Sequence, residues 1–344
     1  MKSINSFTHQ FLRVIGSPFV SPNRGSSTQN LSGLYHYAIE NRMPLLCLEA
    51  LRKLDRLGSL QKEYDALIDK YAKTERVFYR VSKVLDKAGI RYAFFKSIRP
   101  YQEVTVDIDI LIFGSKYKEA IRSIHGAGYM LLDSGPLSTT FRDSEARINL
   151  DIYDEVGVSH IVYLDKNILT KLVGNKELSN GAIVRSLYPE AELLVIIAHS
   201  VIKEHMYVLS EYYTTLHYLA GMKYEALSSF LSLVDKCRMR SAVKTHLGIT
   251  ALLHYGAHNT IPVCLIGLLK TLDTNHLELS RVAKMGFHMP YRYHPITIIK
   301  AFIEKLGEEK ARRSFSSQTL NMLNPTFTSS VLKKTLDHIF RETY

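Results

Sequence analysis

Two aspartates, Asp107 and Asp109, lie two residues apart in the otherwise apolar segment 104–112, VTVDIDILI. Residues two apart in a β-strand project to the same face, so both carboxylates would point the same way. Like charges this close repel each other, and burying them is unfavourable unless a cation compensates them. A divalent metal such as magnesium, held through oxygen ligands, provides that compensation. An edge strand whose polar face meets water accounts for the spacing equally well.

A third acid, Asp151, favours the metal site over the edge strand. It lies between Leu150 and Ile152 in a second short apolar segment, so its side chain takes the face opposite theirs. If the two strands are neighbours in one sheet, the three carboxylates can converge and hold two metal ions about 3.5–4 Å apart. Enzymes use this arrangement for in-line displacement at phosphorus. Asp154 is a weaker candidate for the third ligand, because it lies three residues on, at the strand end and toward the other face.

These acids, together with the turn that precedes them, resemble the nucleotidyltransferase superfamily, which has the core of DNA polymerase β-like enzymes. The pattern of that superfamily is an apolar strand, a Gly-Ser or Gly-Gly turn, a spacer, Asp-x-Asp between apolar residues, and an acid on a later strand. Here Phe95-Lys96-Ser97 stands at the turn, and nine residues separate Ser97 from Asp107. Asp151 matches the later acid. The lysine at the turn is similar to a branch of uncharacterised nucleotidyltransferases whose motif begins with an apolar strand and Lys-Gly.

The resemblance covers about residues 60–220 and implies an activity. A metal-dependent nucleotidyltransferase moves an NMP from an NTP to an acceptor hydroxyl and releases pyrophosphate. Asp107, Asp109 and Asp151 would be the catalytic residues and would hold Mg²⁺ or Mn²⁺. The chain departs from the pattern at the turn, where Lys96-Ser97 replaces the glycine that lets a backbone approach phosphates closely.

Four further residues are candidates for binding the nucleotide: Lys96, Ser97, His199 and Lys203. Lys96 would offset the triphosphate as a point charge, and Ser97 would offer its hydroxyl and amide. A lysine extending from a strand end and a serine in a turn also have ordinary structural explanations. Segment 188–205 resembles the helix of the same branch that carries an acid and then a histidine.

Helical spacing in that segment gives a polar and an apolar side. The face expected to meet the site carries Glu192, Ile196, His199 and Lys203. The opposite side, expected in the core, carries Leu193, Leu194, Ile197 and Val201. A lone histidine on a helix is more often structural than catalytic, but a lysine one turn further on favours a phosphate-facing role.

The elements around these residues predict an α+β fold, with a small mixed β-sheet core flanked by N-terminal helices and a helical C-terminal region. A long helix is expected over 60–88 and a shorter one over 116–125. Strands are expected over 90–95, 105–112, 129–133, 139–142 and 147–153. We expect three parts: a mostly helical accessory segment at 1–60, the catalytic core at 61–188, and a helical domain at 189–344.

Charge and composition bear on partners. The 344-residue chain has a formal net charge of +11 and a pI near 9.3, which favours a polyanionic partner and makes RNA a candidate acceptor. Residues 281–344 contain eleven Lys or Arg against five Asp or Glu, with aromatic residues between them. Ordinary amphipathic helices account for that segment equally well. Three isolated cysteines and no apolar run near ~18 residues predict a cytoplasmic protein without a membrane span.

A second class of function stays open at this point. The core could be catalytically weak or inactive and bind RNA or a nucleotide, in a defence or toxin–antitoxin system. The altered turn at Lys96-Ser97 is the feature that favours this alternative. The sequence indicates neither the acceptor, nor the preferred NTP, nor the oligomeric state.

Overall fold

The computed structural model of the protein describes residues 6–23, 30–158, 160–272 and 276–321. The strands in these ranges are β1 (Tyr92–Phe95), β2 (Asp107–Ile112), β3 (Met130–Ser134), β4 (Ser138–Arg142), β5 (Asn149–Tyr153), β6 (Val156–Val158), β7 (Ile161–Leu164), β8 (Val173–Glu177), β9 (Ile183–Leu187), β10 (Met206–Tyr207) and β11 (Tyr291–Arg292). The helices are α1 (Phe7–Ile15), α2 (Leu31–Glu40), α3 (Pro44–Lys53), α4 (Gln61–Lys87), α5 (Tyr117–Gly126), α6 (Lys166–Leu169), α7 (Pro189–Ala198), α8 (Leu209–Gly221), α9 (Tyr224–Lys236), α10 (Arg240–His258), α11 (Val263–Leu272), α12 (His276–Lys284), α13 (Pro295–Lys305) and α14 (Glu309–Asn321).

A mixed seven-stranded sheet, in the order β3-β4-β5-β2-β1-β9-β8, carries the predicted acids. β2 lies at its centre, antiparallel to β1 and parallel to β5. β1 in turn runs parallel to β9. The α+β fold class with a mixed sheet is therefore confirmed.

The two faces of β2 pack into two separate hydrophobic cores. Ile108, Ile110 and Ile112 are fully buried in one core, between the sheet and helices α4 and α5. Leu111 points the other way and is buried in the larger core with Phe95. The alternation read from residues 107–112 is therefore confirmed. The predicted strand was too long at its start, because Thr105 instead donates a hydrogen bond to the Asp107 carbonyl and Val106 is 79% exposed.

The helical part packs around α7, which contacts α8, α9 and α10. The residues assigned to the core side of this segment, namely Leu193, Leu194 and Ile197 of α7 and Val201 just beyond it, are all fully buried, as expected. The N-terminal helices belong to the same core, since α1 packs on α10 and α3. The proposed boundaries at residues 60 and 188 remain predictions.

The other predicted elements lie close to the observed ones, and two strand pairs were missed. The helix expected at 60–88 is α4, and the strands expected at 129–133, 139–142 and 147–153 are β3, β4 and β5. No element was predicted in segment 155–185, yet it forms the hairpin β6–β7 and strand β8. Strand β8 pairs with β9 and completes the sheet. β8, with the sequence VGNKE, lacks a clear apolar alternation and lies at the sheet edge. Across the described part of the chain, none of the helices is long and apolar enough to cross a membrane.

Candidate active site

The three predicted acids meet on one face of the sheet, at its β2–β5 pair. β2 and β5 are parallel neighbours whose register places Asp109 beside Asp151, and Asp107 begins β2. One carboxylate oxygen of each residue lies within 4.8 Å of the others. Asp154, the weaker candidate for the third acid, instead forms an ion pair with Lys166, with 2.5 Å between Oδ1 and Nζ.

The electrostatics of this acidic cluster fit a divalent cation. Burial, and next the charge of Asp109, raise the pKa of Asp107 to about 7. Burial also raises the pKa of Asp151, with a further contribution from Asp109. A cation bound between the three carboxylates would favour their charged forms and so lower the pKa values of Asp107 and Asp151. Oxygen donors are also the ligands that Mg²⁺ and Mn²⁺ prefer. The residues present therefore fit the metal that the resemblance implies.

The turn after β1 lies against this cluster because β1 and β2 pair with Phe95 opposite Asp109. The Ser97 hydroxyl accepts a hydrogen bond from the Asp109 N–H at 2.7 Å, and the side chain is buried. Lys96 Nζ lies 3.0 Å from Asp109 Oδ1. Its backbone N–H donates to Glu192 Oε2 at 2.9 Å. The turn therefore fixes the position of Asp109.

A cleft of about 420 Å³ opens beside the acids, between the turn and the helical part. Four cationic side chains line it: Arg42, Lys96, Arg99 and Lys203. Asp107 and Asp109 line it too, together with the acids Glu103, Glu204 and Glu211. Lysines beside paired aspartates suit a substrate that carries phosphates together with divalent cations.

His199 and Lys203 both line the cleft, as the helical spacing predicted, but the local geometry differs from an α-helix. Residues His199–Glu204 form a π-helical turn. In a π-helix, backbone hydrogen bonds join residues five apart. Glu204 follows His199 by five residues, and its Oε1 lies 3.4 Å from His199 Nε2. Burial, then the charges of Lys96 and Lys203, hold the pKa of His199 well below its usual range, so the ring is neutral. Burial also lowers the pKa of Lys203.

Several site residues had not been identified from the sequence. Arg42 comes from the segment after α2 and Arg99 from the turn after β1, and nothing in their local pattern indicated a shared cleft. Arg99 donates to Thr214 Oγ1 at 3.1 Å. Thr140 on β4 donates to Asp151 Oδ1 at 2.6 Å. The one available signal for Thr140 was its place on a predicted strand, since pairing with β5 sets it opposite Asp151.

Replacing Thr140 by valine is expected to weaken divalent cation binding about 10–100-fold, the usual effect of losing a hydrogen bond that orients a metal ligand. Valine has nearly the same shape, so the strand should persist while the Asp151 carboxylate loses its donor. Titration with Mn²⁺, followed by the electron paramagnetic resonance of the free ion, measures the change. Thr140→Ser keeps the hydroxyl and should bind as the wild type does, whereas equal affinities for all three proteins would contradict the prediction.

Glu211, which also lines the cleft, is a buried acid with a strong hydrogen bond. Ser200 Oγ donates to Glu211 Oε2 at 2.6 Å. Burial raises the pKa of Glu211 from 4.5 to about 7, partly offset by the bond from Ser200. Between these two values the folded protein keeps a proton that the unfolded chain has released. The contribution of Glu211 to stability therefore falls as pH rises through this window.

Relative to the wild type, Glu211→Gln is expected to shift the slope of unfolding free energy against pH toward positive values between about pH 4.5 and pH 7. Other groups set the rest of the slope: burial raises the pKa values of Glu103 and Glu192 to about 7 and lowers those of His217 to about 4 and His246 to about 3. Urea unfolding at half-unit steps of pH measures it. A slope identical to that of the wild type would mean that Glu211 ionises in the folded protein as it does in the unfolded chain.

Comparisons with known proteins give little more than a distant structural likeness. No protein-family model matches the chain, and no curated protein matches it in sequence. Among solved structures that match is the STING-associated CdnE c-di-GMP synthase from Capnocytophaga granulosa, with 11% identity and a TM-score of 0.31. That match covers 84% of this chain and 98% of the synthase.

Proposed function

We propose that this protein is a metal-dependent nucleotidyltransferase that transfers an NMP from an NTP to an acceptor hydroxyl and releases pyrophosphate. The observation that carries the proposal is the convergence of Asp107, Asp109 and Asp151 within 4.8 Å, beside a cleft that Lys96 and Lys203 also line. Paired carboxylates on one strand and a third on its parallel neighbour form the acidic site that such chemistry uses.

The acids would hold Mg²⁺ or Mn²⁺. Divalent cations bound there would favour deprotonation of the attacking hydroxyl and offset charge on the triphosphate and the departing pyrophosphate. Other side chains of the protein hold these acids in position. Ser97 fixes the backbone at Asp109 and Thr140 orients Asp151. Lys166 removes Asp154 from the set of free acids.

The nucleotide would lie in the cleft beside the acids. Lys203 and Lys96 would contact the phosphates as fixed cations where negative charge develops. Ser97 would contribute at the turn, and neutral His199 would offer a ring nitrogen without adding charge. Arg42 and Arg99 line the same cleft.

We propose RNA as the acceptor because the chain carries a high positive net charge. The net charge of +11 favours a polyanion. The basic segment 281–344 lies only partly within the described residues, which end at 321. Phosphate contacts release counterions, so binding to RNA should weaken steeply as salt rises. RNA binding that is absent at low salt would remove RNA as the acceptor and leave a small molecule or a protein side chain.

One observation favours the alternative of a binding module without activity. Lys96-Ser97 stands at a turn where the superfamily pattern has a glycine, and the Lys96 ammonium contacts Asp109. Such a contact could persist and leave a scaffold that binds RNA or nucleotide without turnover. The two functions make different predictions for one experiment.

The experiment incubates the protein with each α-³²P-labelled NTP, with Mg²⁺ or Mn²⁺, and with total RNA, a nucleoside mixture or the protein alone. Label in any acceptor, lost in Asp107→Asn, supports the transferase, and the labelled species identifies the acceptor. Tight binding of RNA or NTP with no label under any condition supports the binding module. Neither binding nor label would reject both.

A further inference from the structure

The Lys96 side chain lies inside the acidic site. Its ammonium is 3.0 Å from Asp109 Oδ1, and both side chains are under 10% exposed. It also lies 5.0 Å from the centre of the Phe95 ring and 5.5 Å from that of Tyr153. A fixed positive charge therefore lies on one of the three acids.

The backbone at Lys96 is in the left-handed region, with φ of 61°. Glycine adopts this conformation freely, whereas a side chain makes it unfavourable by about 1 kcal/mol or more. The strained conformation is held by the buried Glu192 carboxylate, which accepts the Lys96 N–H and a hydrogen bond from Ser186. The left-handed residue of this turn thus carries a side chain that reaches Asp109.

A divalent cation and this ammonium compete for the same oxygen. Mg²⁺ binds carboxylate oxygen at about 2.1 Å, so a cation on Asp109 Oδ1 would lie within about 5 Å of an ammonium still in place. Two positive charges this close in a poorly hydrated site repel strongly. The rings of Phe95 and Tyr153, packed edge to face against each other, lie beside the ammonium and restrict where it can move.

We propose that Lys96 is an internal counter-cation that occupies Asp109 in the metal-free protein and must leave it when a divalent cation binds. This rests on the proposed function in one respect, that the three acids are a metal site. Lys96 lowers the affinity of the free protein for divalent cations. The triphosphate then gives the released ammonium a new anionic partner, so metal loading is favoured when nucleotide is present.

The test measures Mn²⁺ binding to the full chain in the absence of nucleotide, from the electron paramagnetic resonance of the free ion. Lys96→Met removes the ammonium and keeps the length of the side chain. Lys96→Gly removes it and also relieves the left-handed strain. Both should bind Mn²⁺ at least about tenfold more tightly than the wild type, because the competing charge is gone. Lys96→Arg keeps the charge and should bind as weakly as the wild type.

Lys203→Met is the matched control, since it removes another buried cation of the cleft that has no ion pair with Asp109. A gain below about threefold there is expected from the general loss of positive charge. Wild-type affinity in Lys96→Met and Lys96→Gly, or an equal gain in Lys203→Met, would overturn the role of Lys96. If no variant binds Mn²⁺, or if Asp107→Asn binds it unchanged, the metal site fails and the proposed function fails with it.

Discussion

Asp107→Asn and Asp109→Asn are each expected to lower nucleotidyl transfer by at least about 1,000-fold, the equivalent of about 4 kcal/mol in the transition state. The carboxamide keeps the shape of each side chain but removes the charge that would hold a metal ion. The measurement is the initial rate of label transfer from the preferred NTP at saturating Mn²⁺. Either variant with wild-type turnover would show that the acids are not the catalytic metal site.

The stabilities of these two variants should differ, which separates loss of a charge from loss of the fold. Asp107 repels its neighbours, so Asp107→Asn should be neutral or slightly stabilising. Asp109 is paired with the buried Lys96, so Asp109→Asn should lower the unfolding free energy by up to about 3 kcal/mol. Relief of repulsion between carboxylates should therefore dominate at Asp107, and loss of the ion pair with Lys96 should dominate at Asp109. Asp154→Asn, which removes a carboxylate outside the cluster, should leave transfer within about twofold of the wild type.

Lys203→Met is expected to lower kcat/KM for the NTP by about 100-fold, since a buried cation facing the phosphates is worth about 3 kcal/mol where charge develops. Lys203 lines the cleft beside Lys96 and His199. Each of the three variants Lys203→Met, Lys96→Met and the double replacement should leave the Kd for the acceptor nearly unchanged. Their effects on kcat/KM should be non-additive, because both cations act on one charged group.

Lys203→Arg provides the control for the charge. It should recover much of the lost kcat/KM if charge is the contribution, and none if the lysine only packs against the π-helical turn. Wild-type kcat/KM in Lys203→Met would show that Lys203 does not act on the NTP. Lys203 and His199 would then have a structural role only. The urea unfolding midpoint of each variant shows whether a lower rate reflects a lower fraction of folded protein.

The sequence by itself determined the acids and the faces that carry them. Alternation in residues 107–112 is a local property, because successive strand residues point to opposite sides whatever the strand pairs with. It therefore placed Asp107 and Asp109 together and Ile110 in the core. Asp151 followed from the same rule on a second strand. Helical spacing similarly placed His199 and Lys203 on the side of α7 and its extension that meets the site.

Only the tertiary structure decided what these residues contact. Asp151 joins the others because β5 is the parallel neighbour of β2, and strand order depends on the packing of the whole sheet. The pairing of His199 with Glu204 arises from the π-helical turn, which local spacing does not predict. Arg42 reaches the cleft from far along the chain, and Lys96 meets Asp109 through a left-handed turn. Local periodicity fixes the direction of a side chain relative to its own backbone, whereas its partner depends on contacts between distant segments.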